Sequence, residues 1–330
     1  MKKNLTLFCA FALMLGLSAC SQKDQPVSKA NFLLDTYVEI TLYDDSDISV
    51  IDLAFQEITR LEDMLSVNRE GSELDQLAKA AGKEWVTISP ETQEVLLLAK
   101  EYAELSGGLF DITAGPLINL WDINNGGHYP TQAELDAVLP LISSEDLLVE
   151  DGKAYLAREG MEANLGAIAK GYIADKVKEL LLEQGVEKAI IDLGRNVLLI
   201  GTKPDGSNFN VGVQDPNQDQ GVLLGLVSTA DTSVVTSGIN ERYFTYEGVD
   251  YHHILDPFTG FPADNDLASV TILSTSSAQG DALSTTCLLL GVEKGMALIE
   301  SLEGVEAFFI AKDGTTTMSS GFEEIYTPYE

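Results

Sequence analysis

Asp281 and Thr285 are the pair of side chains in this sequence with the clearest capacity for metal binding. They belong to the segment Asp281-Ala282-Leu283-Ser284-Thr285, and a helix would place the carboxylate and the hydroxyl, four residues apart, on one face. Hard oxygen ligands in that arrangement suit Mg²⁺, which needs few protein ligands when phosphate and water complete its shell. On spacing alone, the simpler interpretation is that Asp281 caps a helix and that Thr285 bonds to the backbone.

A second segment could bind an anion. The small residues of Asn164-Leu165-Gly166-Ala167-Ile168-Ala169-Lys170-Gly171 lead directly into a predicted helix, and the amide groups at a helix N-terminus attract negative charge. Lys170 would add a positive charge beside them, although a lysine in a first helical turn can equally be solvated. The segment does not have the spacing of a P-loop.

The histidines give a third candidate. Two of the chain's three histidines are adjacent in His252-His253-Ile254-Leu255-Asp256-Pro257-Phe258-Thr259-Gly260, which indicates a strand followed by a proline-glycine turn. Adjacent residues of a strand face opposite sides, so at most one histidine of the pair should reach a site. An imidazole titrates near neutral pH and can act as a general base, and Asp256 is close enough in sequence to be an alternative base.

The composition excludes several classes of protein. The 330 residues include 52 acidic and 20 basic side chains, a formal net charge of -32, so a nucleic-acid backbone or an anionic membrane face would repel most of the surface. We therefore expect no nucleic-acid partner. Cys9 and Cys20 lie near the N-terminus and Cys287 stands alone in an apolar stretch, which indicates a small buried hydrophobe rather than a disulfide or a catalytic thiol.

The N-terminus has the pattern of an export signal. Lys2 and Lys3 precede an apolar run, residues 5–17, that is too short to span a membrane. The run ends Leu17-Ser18-Ala19-Cys20, which resembles a bacterial lipobox in which the cysteine is acylated. We therefore predict a signal peptide at residues 1–19, a lipidated N-terminus and polar tether at residues 20–30, and a functional domain at residues 31–330. The protein would be extracytoplasmic and attached to the bacterial cell membrane through its lipid anchor only.

The periodicity of the body predicts a mixture of helices and strands. Alternation predicts a strand at residues 37–42, and apolar residues at three- and four-residue spacing predict helices at 47–65, 91–105, 169–183, 277–290 and 293–302. Further strands are predicted at 189–191 and near Ala307 and Thr317, a hairpin at Glu247-Gly248, and a helix stop followed by a strand start within 106–116. This order is neither regular alternation nor a repeat array. It predicts the α+β class, as a single domain of mixed sheets and helices or as two interlocked lobes.

Taken together, these segments resemble the ApbE family of FAD:protein FMN transferases. The resemblance rests on six motifs in the family's order over nearly the whole mature chain: Gly107-Gly108-Leu109-Phe110-Asp111-Ile112-Thr113 with Leu120-Trp121; Leu165-Gly166-Ala167-Ile168-Ala169-Lys170-Gly171-Tyr172; Asp192-Leu193-Gly194; Thr236-Ser237-Gly238 with Glu241-Arg242; His253-Ile254-Leu255-Asp256-Pro257 with Thr259-Gly260; and Asp281-Ala282-Leu283-Ser284-Thr285. A lipobox leader is also common in that family.

The resemblance implies an activity and a set of site residues. It implies Mg²⁺-dependent transfer of FMN from the substrate FAD to a Thr or Ser hydroxyl of an extracytoplasmic acceptor flavoprotein, with release of AMP. It also implies that Asp281, Thr285 and Ser284 are side-chain Mg²⁺ ligands, that Ala167 is a backbone-carbonyl ligand, and that His253 acts at the reaction centre. The flavin-contacting positions of the family fall on Leu34, Asn68, Leu109, Phe110, Asp111, Asn164, Lys170 and Leu255.

The sequence also departs from the family pattern and leaves alternatives open. Asn164 stands where an aspartate is common, Asn68 where a tyrosine is common, Arg195 where a second glycine follows Gly194, and Asp35 where a glycine is common. Loss of the tyrosine puts the aromatic stacking contact in doubt at Asn68. The same site with water as acceptor would make an FAD pyrophosphatase that yields FMN and AMP, and a non-catalytic flavin-binding lipoprotein is the second alternative.

Overall fold

The computed structural model describes residues 25–329, and the chain there forms eight helices and sixteen strands. The helices are α1 (Ser49–Leu65), α2 (Glu73–Ala80), α3 (Pro90–Leu105), α4 (Gly115–Trp121), α5 (Gln132–Val138), α6 (Ala169–Glu183), α7 (Ser277–Ile299) and α8 (Phe322–Ile325). The predicted signal peptide, residues 1–19, and the predicted lipidation site, Cys20, lie outside the described residues.

The strands form one large sheet and three small ones. The strands are β1 (Val27–Leu33), β2 (Thr36–Leu42), β3 (Val86–Thr87), β4 (Leu147–Glu150), β5 (Lys153–Leu156), β6 (Ala189–Asp192), β7 (Asn196–Ile200), β8 (Phe209–Gln214), β9 (Leu223–Thr229), β10 (Ser233–Gly238), β11 (Tyr243–Tyr246), β12 (Val249–His252), β13 (Leu267–Ser274), β14 (Glu306–Ala311), β15 (Thr316–Met318) and β16 (Tyr326–Pro328). The eight-stranded sheet has the order β1-β2-β6-β7-β10-β13-β14-β15, and each neighbouring pair in it is antiparallel. The small sheets are β16-β9-β8, β3-β5-β4 and the hairpin β11-β12.

The large sheet is covered on both faces, which explains why β13 is buried along its whole length. On one face Ile272 joins the main core with the residues of α1, α6 and α7. On the other face Leu273 packs with Val227 of β9 and with Phe322. Because successive strand residues point to opposite faces, one apolar strand serves both cores.

Helix α7 lies in the main core and is broken at Gly291, whose φ of 77° is not helical. By length and apolar composition, Ser277–Ile299 is the one helix among residues 25–329 that could span a membrane. Here it packs against α6 and β13 and carries Asp281. The break confirms the two separate helices predicted for this part of the chain.

Most predicted elements are confirmed, and two predictions are wrong. The predicted helices at the positions of α1, α3 and α6 form, and Glu247 and Gly248, with φ values of 49° and 81°, make the two-residue turn between β11 and β12. The predicted tether is too long, because residues 27–30 already belong to β1, paired with β2. The strand start predicted before residue 116 is also wrong: the helix stop occurs at Gly107, but α4 begins at Gly115, with a proline in its first turn.

The candidate active site

The predicted site residues surround one cavity of about 310 Å³. It is bordered by the β1-β2 turn, the end of α1, the loop after α3, the start of α6, the residues that flank the hairpin β11-β12, and α7. Of the residues predicted to act in the site, all but two line this cavity: Leu34, Asn68, Leu109, Phe110, Asp111, Asn164, Ala167, Lys170, His253, Leu255, Asp281 and Thr285. Tertiary structure thus brings together motifs that are up to 251 positions apart in the chain.

One side of the cavity, here called the carboxylate wall, consists of Ala167, Lys170, Asp281 and Thr285. Asp281 is 3% exposed, and its Oδ2 accepts a hydrogen bond of 2.9 Å from the Gly171 amide in the first turn of α6. Burial raises the pKa of the Asp281 carboxyl, and the nearby charge of Lys170 opposes that rise. A buried negative charge needs a partner. The Asp281 carboxylate, at the N-terminus of α6, is therefore available to bind a cation.

The close crossing of α6 and α7, rather than anion binding, explains why residue 171 is a glycine. A Cβ at Gly171 would lie 2.2 Å from the backbone oxygen of Ser277 in α7, so only glycine allows this contact. The amides of Gly166, Ile168 and Ala169 are hydrogen-bonded within their own loop, to Asn164 Oδ1 and to the Leu165 carbonyl. The prediction that these amides are exposed for an anion is therefore wrong for those three groups.

Asp175 fixes the same helix pair from outside the cavity. Its carboxylate accepts hydrogen bonds from the Ser277 amide at 2.8 Å, from the Ala278 amide at 3.0 Å and from Ser276 Oγ at 2.8 Å. This carboxylate on α6 thus caps the N-terminus of α7. This partly buried cap stabilises the contact between the helices that carry Lys170 and Asp281.

A second part of the lining, here called the histidine wall, consists of Arg242, His253 and Leu255. The backbone amide of His253 donates to the Arg242 carbonyl at 3.1 Å, and its Nδ1 lies 3.1 Å from the same oxygen. Because a carbonyl can only accept, this contact places the proton on Nδ1 and leaves Nε2 as an acceptor. Burial, followed by repulsion from Arg242, lowers the pKa of His253 to about 4, so the ring is neutral near pH 7.

The neighbouring histidine faces away from the cavity, as strand alternation predicts. His252 is 8% exposed, and its Nδ1 accepts a hydrogen bond of 3.3 Å from the Ile254 amide. Burial, with repulsion from His253 and Lys312, lowers the pKa of His252 to about 4. One histidine of the pair is therefore structural and the other borders the site.

Two predicted site residues do not line the cavity. Ser284 is fully buried, and its hydroxyl donates to the Asp281 carbonyl at 2.9 Å and contacts Ser237 Oγ at 2.7 Å, so it is not placed as a metal ligand. Asp256, the alternative base, uses Oδ1 to accept from the amides of Phe258 at 2.8 Å and Thr259 at 3.4 Å. Its carboxylate stabilises the Pro257–Gly260 turn instead.

Asp111 lines the cavity but both of its oxygens are already engaged. Oδ1 accepts from the amide and the hydroxyl of Thr113 at 2.8 and 2.7 Å, and Oδ2 accepts from the Ser144 amide at 2.8 Å. The carboxylate thus joins the loop after α3 to the segment before β4. Its contribution to the site is to hold Leu109 and Phe110 in the cavity wall.

Several cavity residues had no assigned role in the sequence analysis. Glu241 and Arg242 line the cavity, and Glu241 pairs with Arg195 at 3.3 Å. Both residues belong to the motif Thr236-Ser237-Gly238 with Glu241-Arg242, so the sequence contained a signal for them. Asn124 also lines the cavity, but it lies in a short segment after α4 that matched no motif, and nothing in the sequence marked it.

Comparison with known proteins identifies the family of the chain. The ApbE family model matches residues 34–309. The chain is 38% identical over 301 residues to an FAD:protein FMN transferase of Klebsiella pneumoniae (strain 342), covering 90% of this chain and 93% of that protein. It is 34% identical to an FAD:protein FMN transferase of Treponema pallidum (strain Nichols), covering 94% and 91%.

Solved structures show the same architecture. The ApbE protein from Thermotoga maritima is 28% identical, with a TM-score of 0.85 over 93% of this chain and 100% of that chain. The flavin transferase ApbE from Vibrio cholerae is 28% identical, with a TM-score of 0.83 over 91% and 99%. The chain belongs to the ApbE family, and the predicted α+β class is confirmed.

Proposed function

We propose that this protein transfers FMN from FAD to a serine or threonine hydroxyl of an acceptor protein and releases AMP. The observation that carries the proposal is that one cavity is lined by both the carboxylate wall and the histidine wall, in a chain whose relatives are FAD:protein FMN transferases. Transfer of FMN from FAD requires that the negative charge of the pyrophosphate is neutralised and that the acceptor hydroxyl is activated. The two walls supply these two requirements.

The carboxylate wall fits Mg²⁺. Asp281 Oδ2 already accepts from the Gly171 amide, while the carboxylate as a whole lines the cavity beside Thr285 and Ala167. Asp281, Thr285 and the Ala167 carbonyl would hold the ion, and their hard oxygen atoms suit it. When bound, Mg²⁺ neutralises charge on the phosphate oxygens. Among residues 25–329, no cluster of three His, Cys, Asp or Glu side chains forms a metal site, so substrate phosphate and water would complete the shell.

The residues of the cavity then account for the transfer. The acceptor hydroxyl oxygen attacks the FMN phosphorus, the bond from that phosphorus to the bridging oxygen breaks, and AMP leaves with the bridging oxygen. His253 Nε2 takes the hydroxyl proton, since its Nδ1 is held by the Arg242 carbonyl. Lys170 and Arg242, which border the cavity, offset part of the pyrophosphate charge in a protein with a net charge of -32.

We propose that the protein lies outside the cytoplasm on a lipid anchor at Cys20. The support is the lipobox-like run Leu17-Ser18-Ala19-Cys20 behind two lysines and an apolar segment. Strand β1 begins at Val27 and leads to Leu34 and Asp35, which line the cavity. A short path thus connects the anchor to the site, which favours an acceptor near the same membrane.

The test is mass spectrometry of a purified extracytoplasmic flavoprotein acceptor after incubation with this protein, FAD and Mg²⁺. We expect a mass gain of one FMN residue, release of AMP, and loss of both with EDTA. An acceptor in which the modified Ser or Thr is alanine serves as the control. Free FMN and AMP without acceptor modification would show a pyrophosphatase instead, and intact FAD bound to the protein would show a binder.

A further inference from the structure

A smaller pocket of about 110 Å³ opens beside the main cavity, and His253 belongs to both. The two also share Asn68, Ile118, Asn124, Asn164 and Leu255. The remaining residues of this side pocket lie at the end of α4 and in the segment that follows it: Asn119, Trp121, Asp122, Ile123 and Asn125. A group that entered the side pocket would therefore adjoin His253 in a part of the site that Asp281 does not line.

Five of the eleven residues that line the side pocket are asparagines, whose side-chain amides are uncharged. Three of them are partly engaged: Asn119 Nδ2 donates to Glu162 at 2.8 Å, Asn125 Nδ2 donates to Asp122 at 2.7 Å, and Asn164 Oδ1 accepts from Gly166 at 2.9 Å. The carbonyl oxygens of Asn119 and Asn125 and the amino group of Asn164 remain available. The wall thus offers both acceptors and donors.

This chemistry suits a polypeptide better than the phosphates of FAD. An extended peptide presents alternating N–H and C=O groups, which amide side chains can bond without charge. A phosphate prefers cations, and the two basic residues of the main cavity, Lys170 and Arg242, do not line the side pocket. Asp122, the acidic residue of the side pocket, would repel a phosphate.

The outer wall of the side pocket continues into the hairpin β11-β12. A Cβ at Gly127 would lie 2.1 Å from the ring of Phe244, so the segment after α4 rests directly on this hairpin. The hairpin exposes Tyr243 (52%) and Val249 (53%). Exposed aromatic and aliphatic side chains beside a polar pocket are typical of protein contact surfaces.

We propose that the side pocket binds the acceptor polypeptide in an extended conformation and presents its hydroxyl to His253, while the hairpin β11-β12 contacts the acceptor outside the pocket. This inference rests on the proposed transferase function. It assigns a binding role to Asn119 and Asn125, which lie in the side pocket and not in the main cavity.

The test compares the double variant Asn119→Ala/Asn125→Ala with the wild type and with Asn210→Ala, an exposed asparagine on β8. We expect the KM for the acceptor protein to rise about 10-fold to 100-fold in the double variant, the range for loss of two neutral hydrogen bonds. The KM for FAD and the acceptor-independent splitting of FAD should stay within about twofold of the wild type. Asn210→Ala should match the wild type in every measurement.

Other outcomes would overturn the inference. An unchanged KM for the acceptor would refute it, and an equal rise in the KM for FAD would assign the side pocket to the nucleotide. If the double variant unfolds, hydrogen exchange of the wild type decides: acceptor binding must slow exchange at residues 119–127, and unchanged exchange there refutes the inference. A wild-type protein that splits FAD but modifies no acceptor would refute the proposed function itself.

Discussion

At the carboxylate wall, Asp281 is almost completely buried and bonded to the Gly171 amide, between two helices that Asp175 locks together. At the histidine wall, His253 stands at the base of a two-stranded hairpin whose outer side chains are exposed. Buried, hydrogen-bonded groups hold their geometry before a ligand arrives, whereas an exposed hairpin leaves room for a large partner. The difference favours cation and phosphate binding at the carboxylate wall, and contact with the acceptor protein at the histidine wall, where Arg242 also borders the cavity.

Removal of the Asp281 charge should have the largest effect. Asp281→Asn keeps the side-chain shape and an acceptor for the Gly171 amide but loses the charge that would hold the cation. We expect the rate of FMN transfer to fall on the order of 10⁴-fold, since metal stabilisation is worth several kcal/mol and each 1.36 kcal/mol is tenfold. Single-turnover mass spectrometry at saturating FAD measures the rate.

Asp175→Asn is the matched control, because it changes a carboxylate on the same helix pair that lies outside the cavity. It should lower the melting temperature through the loss of its hydrogen bonds to Ser276, Ser277 and Ala278. Below that temperature its transfer rate should be near that of the wild type. If Asp281→Asn retained Mg²⁺-dependent transfer within tenfold, the two carboxylates would not differ in function.

Replacement of the cavity histidine should have the next largest effect. His253→Asn keeps a donor for the Arg242 carbonyl and removes Nε2, so kcat should fall about 10²-fold to 10⁴-fold, the usual contribution of a general base. The dissociation constant for FAD, followed by flavin fluorescence, should not change. His128→Asn, at an exposed histidine that contacts Glu134 at 3.2 Å, is the control. An unchanged kcat in His253→Asn would remove the assignment of this residue as the base.

The smallest expected effect concerns the stability that the buried ring of His252 contributes. The pKa of His252 is lowered from 6.5 to about 4, so the unfolded chain binds its proton more readily. Stability from this residue is therefore complete above pH 6.5 and is lost as the pH falls toward 4. The loss is on the order of 2–3 kcal/mol.

Urea unfolding of wild type and His252→Asn at pH 7 and pH 4.5 measures this loss. The free energy of unfolding should fall more steeply in the wild type, because the variant has no imidazole to protonate at this position. If the free energy of unfolding fell equally in the two proteins, the burial of His252 would not lower stability at acid pH. Either result leaves the assignment of His253 intact, since the two rings face opposite sides.

The sequence predicted the elements whose signals are local. Apolar residues at helical spacing gave the positions of α1, α3 and α6, and Glu247-Gly248 marked the hairpin. Strand β1 was taken partly as a tether because it is an edge strand with mostly exposed residues, and such a strand has little apolar pattern. The start of α4 was missed although Pro116 suits the first turn of a helix.

The sequence motifs contain residues that line the cavity and residues that do not. Asp281, Thr285 and His253 were identified from motif order, and all three line the cavity. Ser284 and Asp256 belong to the same motifs, but one is turned into the core and the other caps a turn. Neighbours in sequence point in different directions, so a motif does not tell which of its members reach the cavity.

The sequence by itself determined which residues can carry the chemistry, because side-chain type, spacing and motif order are local properties. Only the tertiary structure decided that Asp281 bonds to the first turn of α6, that His253 and not His252 borders the cavity, and that an amide-lined side pocket adjoins it. These facts depend on how α6, α7 and the hairpin β11-β12 pack. Such contacts join residues far apart in the chain, and no local pattern encodes them.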